Sequence, residues 1–157
     1  IIWYSIPIGV FLGSLGLGAI LSGKVRQENV IKKLFLVELS LALFGGLAVC
    51  LMHFVQIIDM YFLAHGSAKM AFFFILLGSQ AIVFVIGFLS GFELPMLMKI
   101  ANKYSSEKKV TNRVLGVDYF GSLLGAVLFP LFLISTLKII AVGFLVAIIN
   151  MLAAIYI

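Results

Sequence analysis

Five stretches of almost uninterrupted apolar residues, each separated from the next by a short cluster of charge, organise this chain. They cover residues 1–22, 34–58, 70–98, 114–134 and 139–157. Each suits a transmembrane helix, because about 20 apolar residues cross a hydrocarbon layer roughly 30 Å thick. The strict alternation of a barrel strand is absent, and an open sheet would leave its edges unsatisfied in lipid. The pattern therefore predicts an all-α fold, a polytopic bundle of about five transmembrane helices forming one domain over residues 1–157.

Small residues recur four apart along these runs, at Gly9/Gly13, Ser14/Gly18/Ser22, Gly87/Gly91 and Gly121/Gly125. Such pairs let helix backbones approach closely where lipid supplies no hydrophobic drive for association, so these glycines are predicted to pack helices within the bundle. Pro7, Pro95 and Pro130 are placed to bend or begin helices. The carbonyls freed by Pro95 and Pro130 then need partners inside the bundle.

Charge adds an orientation. The first connection carries Lys24, Arg26, Lys32 and Lys33, and the third carries Lys99, Lys103, Lys108, Lys109 and Arg113. The second has only Lys69, beside Asp59 and His65, and the fourth only Lys138. Basic loops stay on the cytoplasmic side, so the Ile1 end is expected outside and the Ile157 end in the cytoplasm, in the cell (inner) membrane. A chain that opens inside a hydrophobic run reads as a fragment with a helix missing upstream.

Composition agrees with lipid as the solvent. The chain is 64% hydrophobic and 11% charged, whereas soluble domains are roughly 45–50% apolar and about 25% charged. The net charge of +5 comes from the topogenic loops, so it does not point to nucleic acid. Cys50 is the only cysteine, which excludes a disulfide framework and a Cys-based metal site, and an inert buried thiol is expected. His53 and His65 have no companion at ligand spacing except Asp59, and His53 has no axial mate for a haem. No metal and no cofactor are expected. There is no G-x-S-x-G, P-loop or H-E-x-x-H, and Gly16-Leu17-Gly18 falls within a span. No catalytic residue is assigned.

Ionisable side chains within a span are the strongest functional candidates. Glu38 lies four residues after Leu34, Glu93 six before Lys99, and Asp118 five after Arg113. At ~1.5 Å rise per residue, each sits roughly 6–9 Å below its basic connection, so three acids on three helices share one depth. One reading is an acidic pocket open to the cytoplasm, attractive to a polyamine, a proton or an inorganic ion. The other is structural, with the acids pairing with Lys99, Arg113 or Lys32 and with Glu38 and Asp118 capping helix starts. Gln56, Gln80 and Asn150 are expected to hydrogen-bond between helices.

The segment Gly91-Phe92-Glu93-Leu94-Pro95-Met96-Leu97-Met98, followed by Val117-Asp118-Tyr119-Phe120-Gly121-Ser122-Leu123-Leu124-Gly125 and Phe129-Pro130, resembles a known pattern. It is similar to the membrane domain of bacterial spermidine synthase-like (polyamine aminopropyltransferase) proteins, with their G-x-E-x-P-L, D-Y-x-G-x-L-x-G and F-P elements. Residues Gly13 to Lys24, Val37-Glu38-Leu39 and Asn150 fit the same family, and Ser135-Thr136-Leu137-Lys138 departs from its usual P-x-L-G. The resemblance implies a membrane domain that anchors polyamine-related chemistry. Glu38, Glu93, Asp118 and Tyr119 would be contacts for a polycation, and the partner a cytosolic synthase domain that this chain does not contain. The alternatives are half of a polytopic transporter, or a structural subunit docking membrane partner subunits through its glycine seams.

Overall fold

The computed structural model describes the backbone of residues 2–103 and 107–156 and the side chains of residues 5–103 and 111–156. Residues 1 and 157 and the side chains of Lys108 and Lys109 lie outside the described residues. In chain order the elements are α1 (Ile2–Ser22), a single 3-10 turn (Gln27–Asn29), α2 (Val30–Ala64), α3 (Ala68–Asn102), α4 (Glu107–Leu128), a π turn (Phe129–Leu133), α5 (Ile134–Thr136) and α6 (Ile139–Tyr156). No strand occurs among the described residues. Five stretches are long and apolar enough to cross a membrane: Ser5–Ser22, Gln27–Ala64, Ala68–Asn102, Thr111–Thr136 and Ile139–Tyr156.

The helices overrun the hydrophobic runs. α2 continues through Asp59, α3 continues through Lys99, and α4 begins at Glu107 rather than at Val114. α2 and α3 have 35 residues each, about 52 Å at ~1.5 Å per residue, well beyond a hydrocarbon layer of roughly 30 Å. A charged side chain marks where lipid ends, but it does not interrupt backbone hydrogen bonding. What stops α2 is a C-terminal glycine. Gly66 adopts φ +75°, and the N–H groups of Gly66 and Ser67 donate to the carbonyls of Leu63 and Phe62 at 3.1 and 3.0 Å. A residue with a side chain resists that left-handed backbone.

Pro130 has a local consequence. It sits in the π turn, where the Ile134 N–H reaches back to the Phe129 carbonyl. The hydroxyls of Ser135 and Thr136 donate to the carbonyls of Leu131 and Phe132. A proline removes a donor and crowds the preceding turn, and a π turn is a local adjustment that such a site accommodates.

α3 is the central element, with α1 and α2 packed along it, α6 packed on α2, and α4 meeting α3 over a shorter length. The α1–α3 contact depends on absent side chains. A Cβ on Gly18 would strike the Phe88 carbonyl, one on Gly91 the Leu15 carbonyl, and one on Gly87 the Ser14 hydroxyl. Ser14 and Ser22, both fully buried, turn their hydroxyls back to the carbonyls of Phe11 (2.8 Å) and Ala19 (2.6 Å). A second seam joins α2 to α6, where a Cβ on Gly46 would lie 2.6 Å from Ala147 Cβ, and one on Gly143 would lie 3.3 Å from the Gly46 carbonyl.

The other predicted packing glycines are placed differently. Gly9, Gly13, Gly121 and Gly125 have nothing within 4 Å of a would-be Cβ. On α1 the used face is that of Ser14, Gly18 and Ser22. On α4 no helix lies opposite, and every residue from 116 to 132 is exposed. Cys50, expected to be buried, is exposed as well, because its position on α2 faces away from both α3 and α6.

One end of the bundle is closed by the first connection. Val25, Val30, Leu34 and Met96 form a buried cluster, with Phe92 and Ile100 against it. Lys99 locks it: its ammonium donates to the carbonyls of Ser22, Gly23 and Val25 at 2.8, 3.0 and 3.1 Å. Gln27 Nε2 returns a bond of 2.9 Å to the Lys99 carbonyl. The last carbonyls of a helix have no intrahelical donor, and a cation there also meets the negative end of the helix dipole. The first and third basic connections therefore sit together at one end of the molecule.

Gly91→Ala is expected to lower thermal stability in detergent by about 1–3 kcal/mol, the usual cost of overpacking. Gly125→Ala, in open space, is expected to leave it unchanged or raise it slightly. Lys99→Met should cost on the order of 2 kcal/mol by removing the donor shared by the carbonyls of Ser22, Gly23 and Val25, and differential scanning fluorimetry on the purified variants reads all three.

Candidate functional site

The three acids singled out in the sequence lie next to the Lys99 latch. Glu38 follows Leu34 by one turn of α2 and is buried, with 6% of its surface exposed. Glu93 precedes Met96 by about one turn of α3 and is half-buried. Asp118 is on α4 and exposed. Glu93 is within electrostatic range of both of the others, of Glu38 across the α2–α3 contact and of Asp118 across the α3–α4 contact.

The structural alternatives for these acids are narrowed by their positions. Because α2 begins at Val30 and α4 at Glu107, Glu38 and Asp118 stand two turns or more inside their helices. The helix dipole acts within the first turn, so neither caps a helix. Lys99 is committed to the α1 carbonyls, and Lys32 points to solvent from an exposed position.

Between α3 and α4 is a cavity of about 520 Å³. Its polar wall is made by Glu93, Asp118 and Arg113, and its apolar wall includes Leu94, Leu97 and Val117. Two carboxyl groups and one guanidinium make up the polar wall. Glu38 stands outside this wall. Tyr119 is not on the wall and is 68% exposed, because a residue one position along a helix is turned about 100° away. Among the described residues no three His, Cys, Asp or Glu side chains approach closely enough to hold a metal ion.

Of the three cations the sequence offered as partners for these acids, Arg113 is the one that shares the wall with Glu93 and Asp118. Sequence reasoning missed the Gly46–Gly143 seam. Counting alanine as small would have found it, as Ala42/Gly46 and Gly143/Ala147 are both spaced by four. The polar residues of the apolar helices differ from expectation too. Gln56 Oε1 faces His53 Nδ1 on its own helix at 3.2 Å, and Gln80 Oε1 is buried with no partner.

If like charge crowds Glu38 and Glu93, Glu38→Gln removes that repulsion and keeps the shape. Thermal stability at neutral pH is expected to rise by on the order of 1 kcal/mol, as read by melting in detergent; a fall of that size would show that the carboxylate has a favourable partner.

No family model and no solved structure matches the chain. Curated proteins do. It is 32% identical over 153 residues to a polyamine aminopropyltransferase of Leptospira interrogans, covering 98% of this chain and 28% of that protein. It is 34% identical over 152 residues to a polyamine aminopropyltransferase of Oceanobacillus iheyensis, covering 96% of this chain and 27% of the relative. A third relative, polyamine aminopropyltransferase 2 of Ralstonia nicotianae, is 30% identical over 157 residues, covering 99% of this chain and 28% of its own length. The chain thus spans little more than a quarter of the length of these relatives. Along nearly all of its own length it is a spermidine synthase-like segment, homologous to part of proteins named polyamine aminopropyltransferases.

Proposed function

We propose that this chain is the membrane-embedded portion of a spermidine synthase-like protein, and that the cavity between α3 and α4 binds a polycation. The observation that carries the reading is the cavity itself: Glu93 and Asp118 on one wall, with Glu38 in electrostatic range of Glu93. Carboxylates are costly in apolar helices and are retained there where a cation or a pathway uses them. A polyamine places charged nitrogens at intervals along an apolar chain, which matches separated acids on a surface that also offers Leu94 and Leu97.

Membrane insertion in this reading rests on the five long apolar helices. The excess of Lys and Arg in the first and third connections puts the latched end, and with it the cavity, on the cytoplasmic side of the inner membrane. The C-terminus of α6 then faces the cytoplasm. Aminopropyl transfer is assigned to a cytosolic synthase domain, joined to this one or docked on it. The role of this segment is to anchor that chemistry and hold its polycationic substrate or product near the bilayer.

A second reading, a structural subunit of a larger membrane assembly, is favoured by one observation: residues 116–132 of α4 and the π turn are exposed and apolar apart from Asp118 and Ser122. Stoichiometric co-purification of another membrane chain would support it.

The polycation reading is tested by measuring spermidine binding to the chain in lipid nanodiscs. Glu93→Gln combined with Asp118→Asn is expected to weaken binding at least tenfold, since each charge-assisted contact is worth about 1.5–3 kcal/mol. Affinity should also fall with added salt. Unchanged affinity in the double variant would remove the cavity as the site.

A further inference from the structure

We propose a second binding site nearer the middle of the bundle, for an uncharged amphiphile that carries a hydroxyl head on an apolar tail. An open groove of about 510 Å³ lies there, lined by Pro7 of α1, Met52, His53 and Gln56 of α2, Gln80 of α3 and Ile139 of α6, among other residues. Gln80 and Glu93 are thirteen residues apart on α3, so at ~1.5 Å per residue this groove is about 20 Å from the acidic cavity. The inference does not depend on the polycation reading.

The chemistry of the groove selects its ligand. Among the described residues no carboxylate, ammonium or guanidinium lines it, and its wall is almost wholly apolar. A protonated amine would lose its hydration there without gaining a counter-charge, so a charged ligand is disfavoured. The polar groups that remain are the carboxamides of Gln56 and Gln80, the His53 imidazole and the Ser79 hydroxyl, and the unmet atom among them is an acceptor. Gln80 Oε1 is buried and receives no hydrogen bond, and an unmet buried acceptor costs about 1–3 kcal/mol until a donor reaches it. With Nδ1 protonated, His53 donates to Gln56 Oε1 at 3.2 Å and leaves Nε2 as a second acceptor. Ser79 has already spent its proton on the Leu76 carbonyl at 3.0 Å. The site therefore asks for an O–H donor at the polar spot and an apolar body along Met52, Val83 and Ile86. In a bilayer such a molecule reaches the groove from the lipid, without crossing water.

The test uses the full chain in lipid nanodiscs and a diazirine-bearing hexadecanol as the photoactivatable probe. Adducts are expected on residues 48–56 and 79–86, displaced by unlabelled hexadecanol and not by hexadecane at equal concentration. Gln80→Leu should cut this labelling about fivefold, the loss of roughly one hydrogen bond. His53→Phe should lower it independently, so a Gln80→Leu chain that fails to fold leaves the inference testable. Labelling that hexadecane displaces equally well, that both variants leave unchanged, or that is absent from these residues overturns the proposal.

Discussion

The bundle depends on the approach of α1 to α3 at backbone-contact distance. In a bilayer, lipid tails would compete with leucine as well as another helix does, so burial of apolar side chains would give these helices little reason to associate. Close van der Waals contact and hydrogen bonding must supply it. At Gly18, Gly87 and Gly91 the absence of a side chain lets carbonyls and Cα atoms of the two helices meet, and the buried serines beside them satisfy their hydroxyls within α1. Lys99 then joins the end of α3 to the end of α1 through three carbonyls. That latch fixes where the first connection lies, and so where Val25 and Val30 cover Leu34 and Met96.

The acids inherit their positions from this arrangement. Glu93 is carried by the helix that α1 holds in place, and Glu38 by the helix packed on the other flank of α3. Because Lys99 is drawn away to the α1 carbonyls, the cation nearest Glu93 in sequence is unavailable to neutralise it. α4 brings Asp118 and Arg113 to the same cavity and makes few other contacts with the bundle, so the acidic wall is also the principal junction between α4 and α3.

Much of this was legible in the sequence, for identifiable reasons. The number of helices follows from five runs of apolar residues, since length and composition alone decide whether a helix can span. That Glu93 and Asp118 share a wall was anticipated only as acids lying at similar distances from the basic clusters. Helix ends were not legible, because Asp59 and Lys99 mark a change of solvent and leave the backbone helical. Nor could spacing tell the used glycines from the idle ones. Gly87/Gly91 and Gly121/Gly125 look alike in sequence, and only the presence of α1 opposite the first pair distinguishes them. The task of Lys99 was hidden for the same reason, since its partners lie more than seventy residues away.

The central claim is that α4 lies beside α3 so that Glu93 and Asp118 face one cavity. The direct measurement is cross-linking in membranes of a Cys50→Ser chain carrying Leu97→Cys and Val114→Cys, two positions on that cavity wall. A short bifunctional thiol reagent should join them efficiently, and the same reagent should fail with Leu97→Cys and Leu124→Cys, the latter on the exposed stretch of α4. Absence of the first cross-link in fully reactive, folded protein, or equal yield from both pairs, would contradict the account.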